Sequence, residues 1–255
     1  MSHLAQFDSL RGKRVFITGG GSGIGEAIVI SFAEQGAQVA FVDIAQDASL
    51  ALCRRVADAG YLTPVFRHCD ITDIPALQRT MTELAETIGD FDILVNNAAN
   101  DQRHKTEEVT LEYWNERVAI NQRPMFFTCQ SVFEGMKRRG GGSIINVSSI
   151  SWHVKNAGYP VYATSKAAVL GLTRGLAREY GAHNIRVNTV TPGWVMTQRQ
   201  IELWVDEAAE AEIKEKQCLP AKLMPQHIAS MILFLASDDG AMCTAQEFIV
   251  DAGWV

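Results

Sequence analysis

The stretch RVFITGGGSGIGEAIVISFAEQGAQVAFVD, Arg14 to Asp43, decides the fold. It opens on an apolar, β-branched run (Arg14–Thr18) that reads as a buried strand. Glycines at 19, 21, 23 and 25 follow, a helix pattern covers Ile24–Gln35, and a second apolar run covers Gln38–Asp43. Strand, glycine loop, helix and strand in that order make a βαβ unit. Glycines at such a turn allow positive φ and let a pyrophosphate approach the backbone, while the helix presents its amide end to the charge. Gly19, Ser22, Gly23, Ile24 and Gly25 are the expected contacts. The spacing departs from G-x-G-x-x-G, and no lysine follows the last glycine as a nucleotide-triphosphate loop requires. Asp43 ends the second strand eighteen residues beyond Gly25. A carboxylate there accepts from ribose hydroxyls and repels a 2′-phosphate. No Arg or Lys lies between Arg14 and Arg54 to offset it, so NAD is expected over NADP.

The same alternation continues outward. Strands are predicted at Pro64–Asp70, Phe91–Asn97, Ser143–Ser149, Ile185–Gly193 and Glu247–Gly253, with helices at Ser49–Ala59, Ile74–Ile88, Leu111–Lys137, Val161–Tyr180 and Gln226–Ala236. Continuous apolar strands separated by helices indicate buried parallel strands joined by crossovers. The expectation is an α/β, doubly wound Rossmann fold with a seven-stranded parallel sheet, one domain over residues 1–255. RRGGGS (Arg138–Ser143) precedes a strand and reads as a helix stop, not a second phosphate loop. Residues 195–223 are helical in composition and charged; they read either as a flap over a ligand or as a solvated surface helix.

Bulk composition bounds the function. With 255 residues, 47% hydrophobic and 20% charged, the chain has the material for a sizeable core. A net charge of −6 argues against nucleic acid or an anionic membrane as main partner. Five scattered cysteines without a C-x-x-C pair suit neither a disulfide framework nor a zinc site, so no metal is expected. The opening MSHLAQFDSLRGKR lacks a signal-peptide core, and no apolar run is long enough to span a bilayer; a cytoplasmic protein is expected.

VYATSK (Val161–Lys166) places Lys166 one helical turn after Tyr162. On one helix face, an ammonium beside a phenol favours phenolate and brings the tyrosine pKa toward working pH. The competing reading is a solvated Tyr/Lys pair, and other motifs must decide. TGGGSGIG, CDITD, NNAAN, Asn121, INVSSIS, YATSK and TPGWVMT occur in order along the chain. In that order and spacing they resemble the short-chain dehydrogenase/reductase family, from about Leu10 to the C-terminus. Within it, NDQRHK, SISWH, QCLPAKLMP, LFLASDD and DAGWV are similar to the sugar-oxidising aldose dehydrogenases.

The resemblance implies roles. Tyr162 would be the general base, Lys166 would lower its pKa and bind the nicotinamide ribose, and Ser149 would hydrogen-bond the reacting oxygen. Ser149 lies thirteen residues before Tyr162, which favours it over Ser148. Asn121 would hold a water in the proton path, or bend the helix ahead of Pro124, or both. Asp70 and Ile71 would meet the adenine, Asn97 and Ala98 the ribose, and Pro192, Gly193, Val195 and Thr197 the nicotinamide side. Ala99 replaces the family's usual glycine and puts the loop geometry there in question. His153, Asn156, Trp194 and Gln198 are candidate sugar contacts or, equally, packing or subunit contacts. Taken together these imply NAD-dependent oxidation of an aldose at C1 to a lactone by a homotetramer. A polyol dehydrogenase or ketone reductase is the alternative within the family, and a dinucleotide-sensing protein the alternative outside it.

Overall fold

Within β1 (Arg14–Thr18) the side chains alternate between two cores. Val15 and Ile17 join one apolar cluster and Phe16 the other, all fully buried. A strand with both faces covered must be apolar along its whole length, which is what RVFIT supplies. The computed structural model describes residues 5–255; residues 1–4, the start of the N-terminal stretch that lacks a signal-peptide core, lie outside the described residues.

After β1 come α1 (Gly23–Glu34), β2 (Gln38–Asp43), α2 (Gln46–Asp58), β3 (Val65–His68), α3 (Ile74–Ile88) and β4 (Ile93–Asn96). The second half holds α4 (Leu111–Asn121), α5 (Arg123–Arg138), β5 (Gly142–Val147), α6 (Pro160–Tyr180) and β6 (Ile185–Pro192). The chain closes with α7 (Gln198–Trp204), α8 (Glu207–Lys216), α9 (Pro225–Ala236) and β7 (Glu247–Val250). Seven strands form one parallel sheet in the order β3-β2-β1-β4-β5-β6-β7. On one face α1 packs against α9, with Phe32, Ile28 and Ile232 fully buried. On the other face α3, α5 and α6 contribute Leu77, Cys129 and Leu176 to the second cluster.

Thr18 pairs with Val42 of β2 on one side and Asn96 of β4 on the other. The strand order therefore reverses at β1, and the loops after β1 and β4 diverge to leave a crevice at the carboxyl ends. The expected doubly wound sheet is present: β1 and β2 have the expected bounds, and β3 to β7 end one to three residues earlier than the sequence suggests.

One segment differs from expectation. The helix predicted over Leu111–Lys137 breaks at Gln122, whose φ of −130° and ψ of −57° leave the helical region. Pro124, at the start of α5, has no N–H to continue the ladder. Residues 195–223 form two short helices, α7 and α8, capped by Thr197 and Asp206. RRGGGS does end a helix: Gly140 takes φ +83° just after α5.

Candidate active site

A cavity of about 1170 Å³ opens at the carboxyl ends of the strands and runs from Asp43 and Asp70 at one end to Trp194 and Trp254 at the other. Gly19 and Gly23 hold φ of +68° and +57°, so the loop needs glycine at both. Gly21 and Gly25 are required by space: a Cβ on Gly21 would lie 2.5 Å from the Ser49 hydroxyl, and one on Gly25 would lie 1.8 Å from the Gly19 carbonyl oxygen. Ser22 holds the N-cap position of α1 yet makes no cap hydrogen bond, leaving its hydroxyl to the cavity. Bare backbone, a helix amide end and a spare hydroxyl suit a pyrophosphate. Ile24 completes this wall.

The acidic end is built from turn hydrogen bonds. Asp43 accepts from the Gly21 N–H and the Ala45 N–H, both at 2.8 Å. Asp70 accepts from the Thr72 N–H and hydroxyl at 2.9 and 2.8 Å, with Ile71 between them on the cavity wall. Asn97 ties β4 to the glycine loop, donating to the Thr18 and Gly19 carbonyls at 3.2 and 2.8 Å; Ala98 N–H donates to the Thr18 hydroxyl at 3.2 Å. Ala99 is not among the positive-φ residues, so replacing glycine there strains nothing.

At the other end Tyr162 and Lys166 stand one turn apart on α6, and Ser149 caps the short helical turn Ile150–Trp152 after β5. All three line the cavity. Ser149 accepts from the Ser151 N–H at 3.1 Å. Ser148 borders the cavity too, but its hydroxyl is committed to the Lys166 carbonyl, to which it donates at 2.8 Å. Lys166 is 1% exposed and donates from Nζ to the Val147 carbonyl at 2.8 Å, with Nζ 5.7 Å from the Tyr162 ring centre. Burial pulls its pKa down to about 7, against the charge of Asp101. The Tyr162 pKa moves opposite to the sequence expectation. Desolvation and then the Asp101 carboxylate raise it, and the Ser149 hydroxyl only partly counters them.

Asn121 is fully buried, and both ends of its side-chain amide are committed to Asn100: it accepts from the Asn100 N–H at 2.7 Å and donates to the Asn100 carbonyl at 3.0 Å. It thus clamps the loop after β4 to the helix break. Pro192, Gly193, Val195 and Thr197 line the far wall, where a Cβ on Gly193 would meet Asp251 at 2.7 Å. Among the candidate sugar contacts, Asn156, Trp194 and Gln198 line the cavity. Gln198 donates to Glu202 at 2.6 Å along its own helix, and Trp194 Nε1 donates to Gln200 at 3.0 Å. His153 is not on this wall. Its Nε2 meets Glu247 of β7 at 2.9 Å, and its ring stacks on Trp152 at 3.7 Å. A helical turn reverses side-chain direction within a residue or two, and a lone histidine gives no sign of which way it faces. Asp101, Gln200 and Ser151 line or border the cavity without having been singled out from the sequence. Asp101 lies in a loop, Ser151 in a short turn and Gln200 on the seven-residue helix α7, so they share no periodicity that would mark them.

A family model described as enoyl-(acyl carrier protein) reductase matches residues 19–255. The chain is 49% identical over 250 residues to a D-xylose 1-dehydrogenase of Caulobacter vibrioides, covering 98% of each chain. It is 46% identical to the probable galactose dehydrogenase GalD of Rhizobium meliloti, covering 98% of this chain and 97% of that one. Among solved structures, a short-chain dehydrogenase/reductase from Serratia marcescens superposes with a TM-score of 0.90 at 34% identity, over 96% of this chain and 99% of that one. With the glycine cradle, the Ser149–Tyr162–Lys166 cluster and these matches in hand, the chain belongs to the short-chain dehydrogenase/reductase family of nicotinamide dinucleotide-dependent oxidoreductases.

Proposed function

We propose that this protein oxidises an aldose at its anomeric carbon to the lactone, with NAD as the dinucleotide. The observation that carries the reading is the cluster of Tyr162, Ser149 and buried Lys166 at the end of the cavity away from the glycine loop. Two relatives near half identity are named for aldoses differing in size and stereochemistry, which favours the substrate class over one sugar. When bound, the dinucleotide supplies the hydride acceptor. Gly19, Ser22, Gly23, Ile24 and Gly25 would hold its phosphates, Asp43 its adenosine ribose, Asp70 and Ile71 its adenine. Ser149 would hold the anomeric oxygen while Tyr162 Oη takes its proton, and Lys166 beneath the phenol would stabilise the phenolate once charged. Asp43, with no cation between Arg14 and Arg54, supports NAD over NADP. The two short helices α7 and α8 would act as a cover, and assembly as a homotetramer is the expectation from the family.

The test is to incubate protein and NAD with D-xylose, L-arabinose, D-galactose and a set of polyols, following product by NMR. Lactone or aldonate from an aldose supports the reading. If aldoses are inert while a polyol is oxidised to a ketone, the substrate assignment falls and family membership stands.

A further inference from the structure

We infer that Asp101 is the carboxylate that reads a ring hydroxyl of the substrate, with Gln200 as its positioning residue. The inference rests on the aldose reading and adds to it the group that distinguishes a polyhydroxylated ring from a plain alcohol.

Asp101 lines the cavity beside the catalytic pair, and it is fixed from both sides. Its neighbour Asn100 is clamped through both backbone groups by the buried Asn121, and Asn100 Oδ1 accepts from the Gln102 N–H at 2.9 Å, closing a turn around Asp101. Its own carboxylate accepts from Gln200 Nε2 at 2.6 Å. Gln200 is held in turn by Trp194 Nε1 at 3.0 Å, and the Trp194 ring lies against Trp254 at the cavity's end. Arg199 approaches the second oxygen at 3.5 Å. A carboxylate has about four acceptor positions, so this bracing leaves capacity for a hydroxyl donor.

The bond to Gln200 does not itself need a charge, and Arg199, 54% exposed and 3.5 Å away, matches the Asp101 charge only loosely. An asparagine at 101 could accept from Gln200 equally well. The charge helps to hold the proton on the Tyr162 phenol. A braced carboxylate on the cavity wall with acceptor positions to spare is built to bind a donor in the cavity. Sugar hydroxyls are that partner: a charged acceptor makes a stronger hydrogen bond to O–H than an amide does. An acceptor braced by its surroundings also binds without first being ordered.

The experiment compares wild type, Asp101→Asn and Gln200→Ala on the best aldose and on its singly deoxygenated analogues. Asp101→Asn keeps the latch and removes the charge. It should lower kcat/KM about ten- to hundredfold on the full sugar and by less on the one analogue lacking the hydroxyl it reads, with dinucleotide affinity unchanged by fluorescence titration. Gln200→Ala should raise KM with less effect on kcat and show the same preference among analogues, weakened. Equal losses on every analogue, or no loss in Asp101→Asn, overturn the inference. If either variant fails to bind dinucleotide, the other decides. Wild type alone judges the aldose reading. Should it oxidise polyols instead, the same comparison is made on the polyol and its deoxy analogues.

Discussion

Tyr162 carries the strongest demand on any one residue: its phenol must act as a base although burial and Asp101 hold its proton on. A group whose pKa is raised gives up its proton only at higher pH, so the base form grows in on the alkaline side. With limiting dinucleotide, kcat/KM for oxidation should climb through the alkaline range and not level off near neutrality. Tyr162→Phe should lower turnover by about 10²–10⁴-fold, the usual range for losing a general acid–base, and leave dinucleotide affinity nearly intact. Near-normal turnover in that variant would remove Tyr162 from the mechanism. The pairing with Lys166 was legible from a spacing of four; the direction of the pKa shifts was not. Those depend on burial and on a carboxylate 61 positions away in sequence, which no local pattern encodes.

Individual elements show where a pattern suffices. Strands buried on both faces advertise themselves as unbroken apolar runs, and Asp73, Thr110, Thr197 and Asp206 cap helices where such residues are expected. The break between α4 and α5 was half visible: Pro124 signals a disturbance, but only the tertiary demand of the Asn100 loop explains why Asn121 sits at the bend. His153 shows a choice that no local pattern makes. Its place two residues past the SIS of INVSSIS leaves it a candidate for the sugar pocket or for packing, and it bridges to Glu247 of the edge strand β7, whose carboxylate also accepts from Thr191 at 2.7 Å. His153→Ala should therefore cost stability, about 1 kcal/mol for the lost hydrogen bond, and leave KM for the sugar unchanged. Comparing melting temperature with steady-state kinetics checks it. A raised KM at unchanged melting temperature would return His153 to the pocket.

At the scale of the whole molecule, the cavity lies where the two halves of the sheet diverge, so a ligand there bridges elements from both. The glycine loop belongs to β1 and α1, Asp43 to β2, and Lys166 to α6, across the reversal in strand order. Binding to the folded state alone adds about 2.7 kcal/mol at a hundred times Kd. For a chain of this size each kcal/mol raises the melting temperature by about 2–4 °C, so NAD at that excess should raise it by about 5–11 °C. NADP at the same concentration should raise it clearly less. Its 2′-phosphate would face the Asp43 carboxylate, whose oxygens are fixed on the Gly21 and Ala45 amides. Asp43→Ala should narrow the gap from both sides, losing acceptors for the ribose hydroxyls and losing repulsion toward the phosphate. The variant's melting temperature without ligand must be measured as well, since Asp43 also organises the glycine loop. Equal shifts for NAD and NADP in the unmodified protein would mean that some residue other than Asp43 governs the choice of dinucleotide.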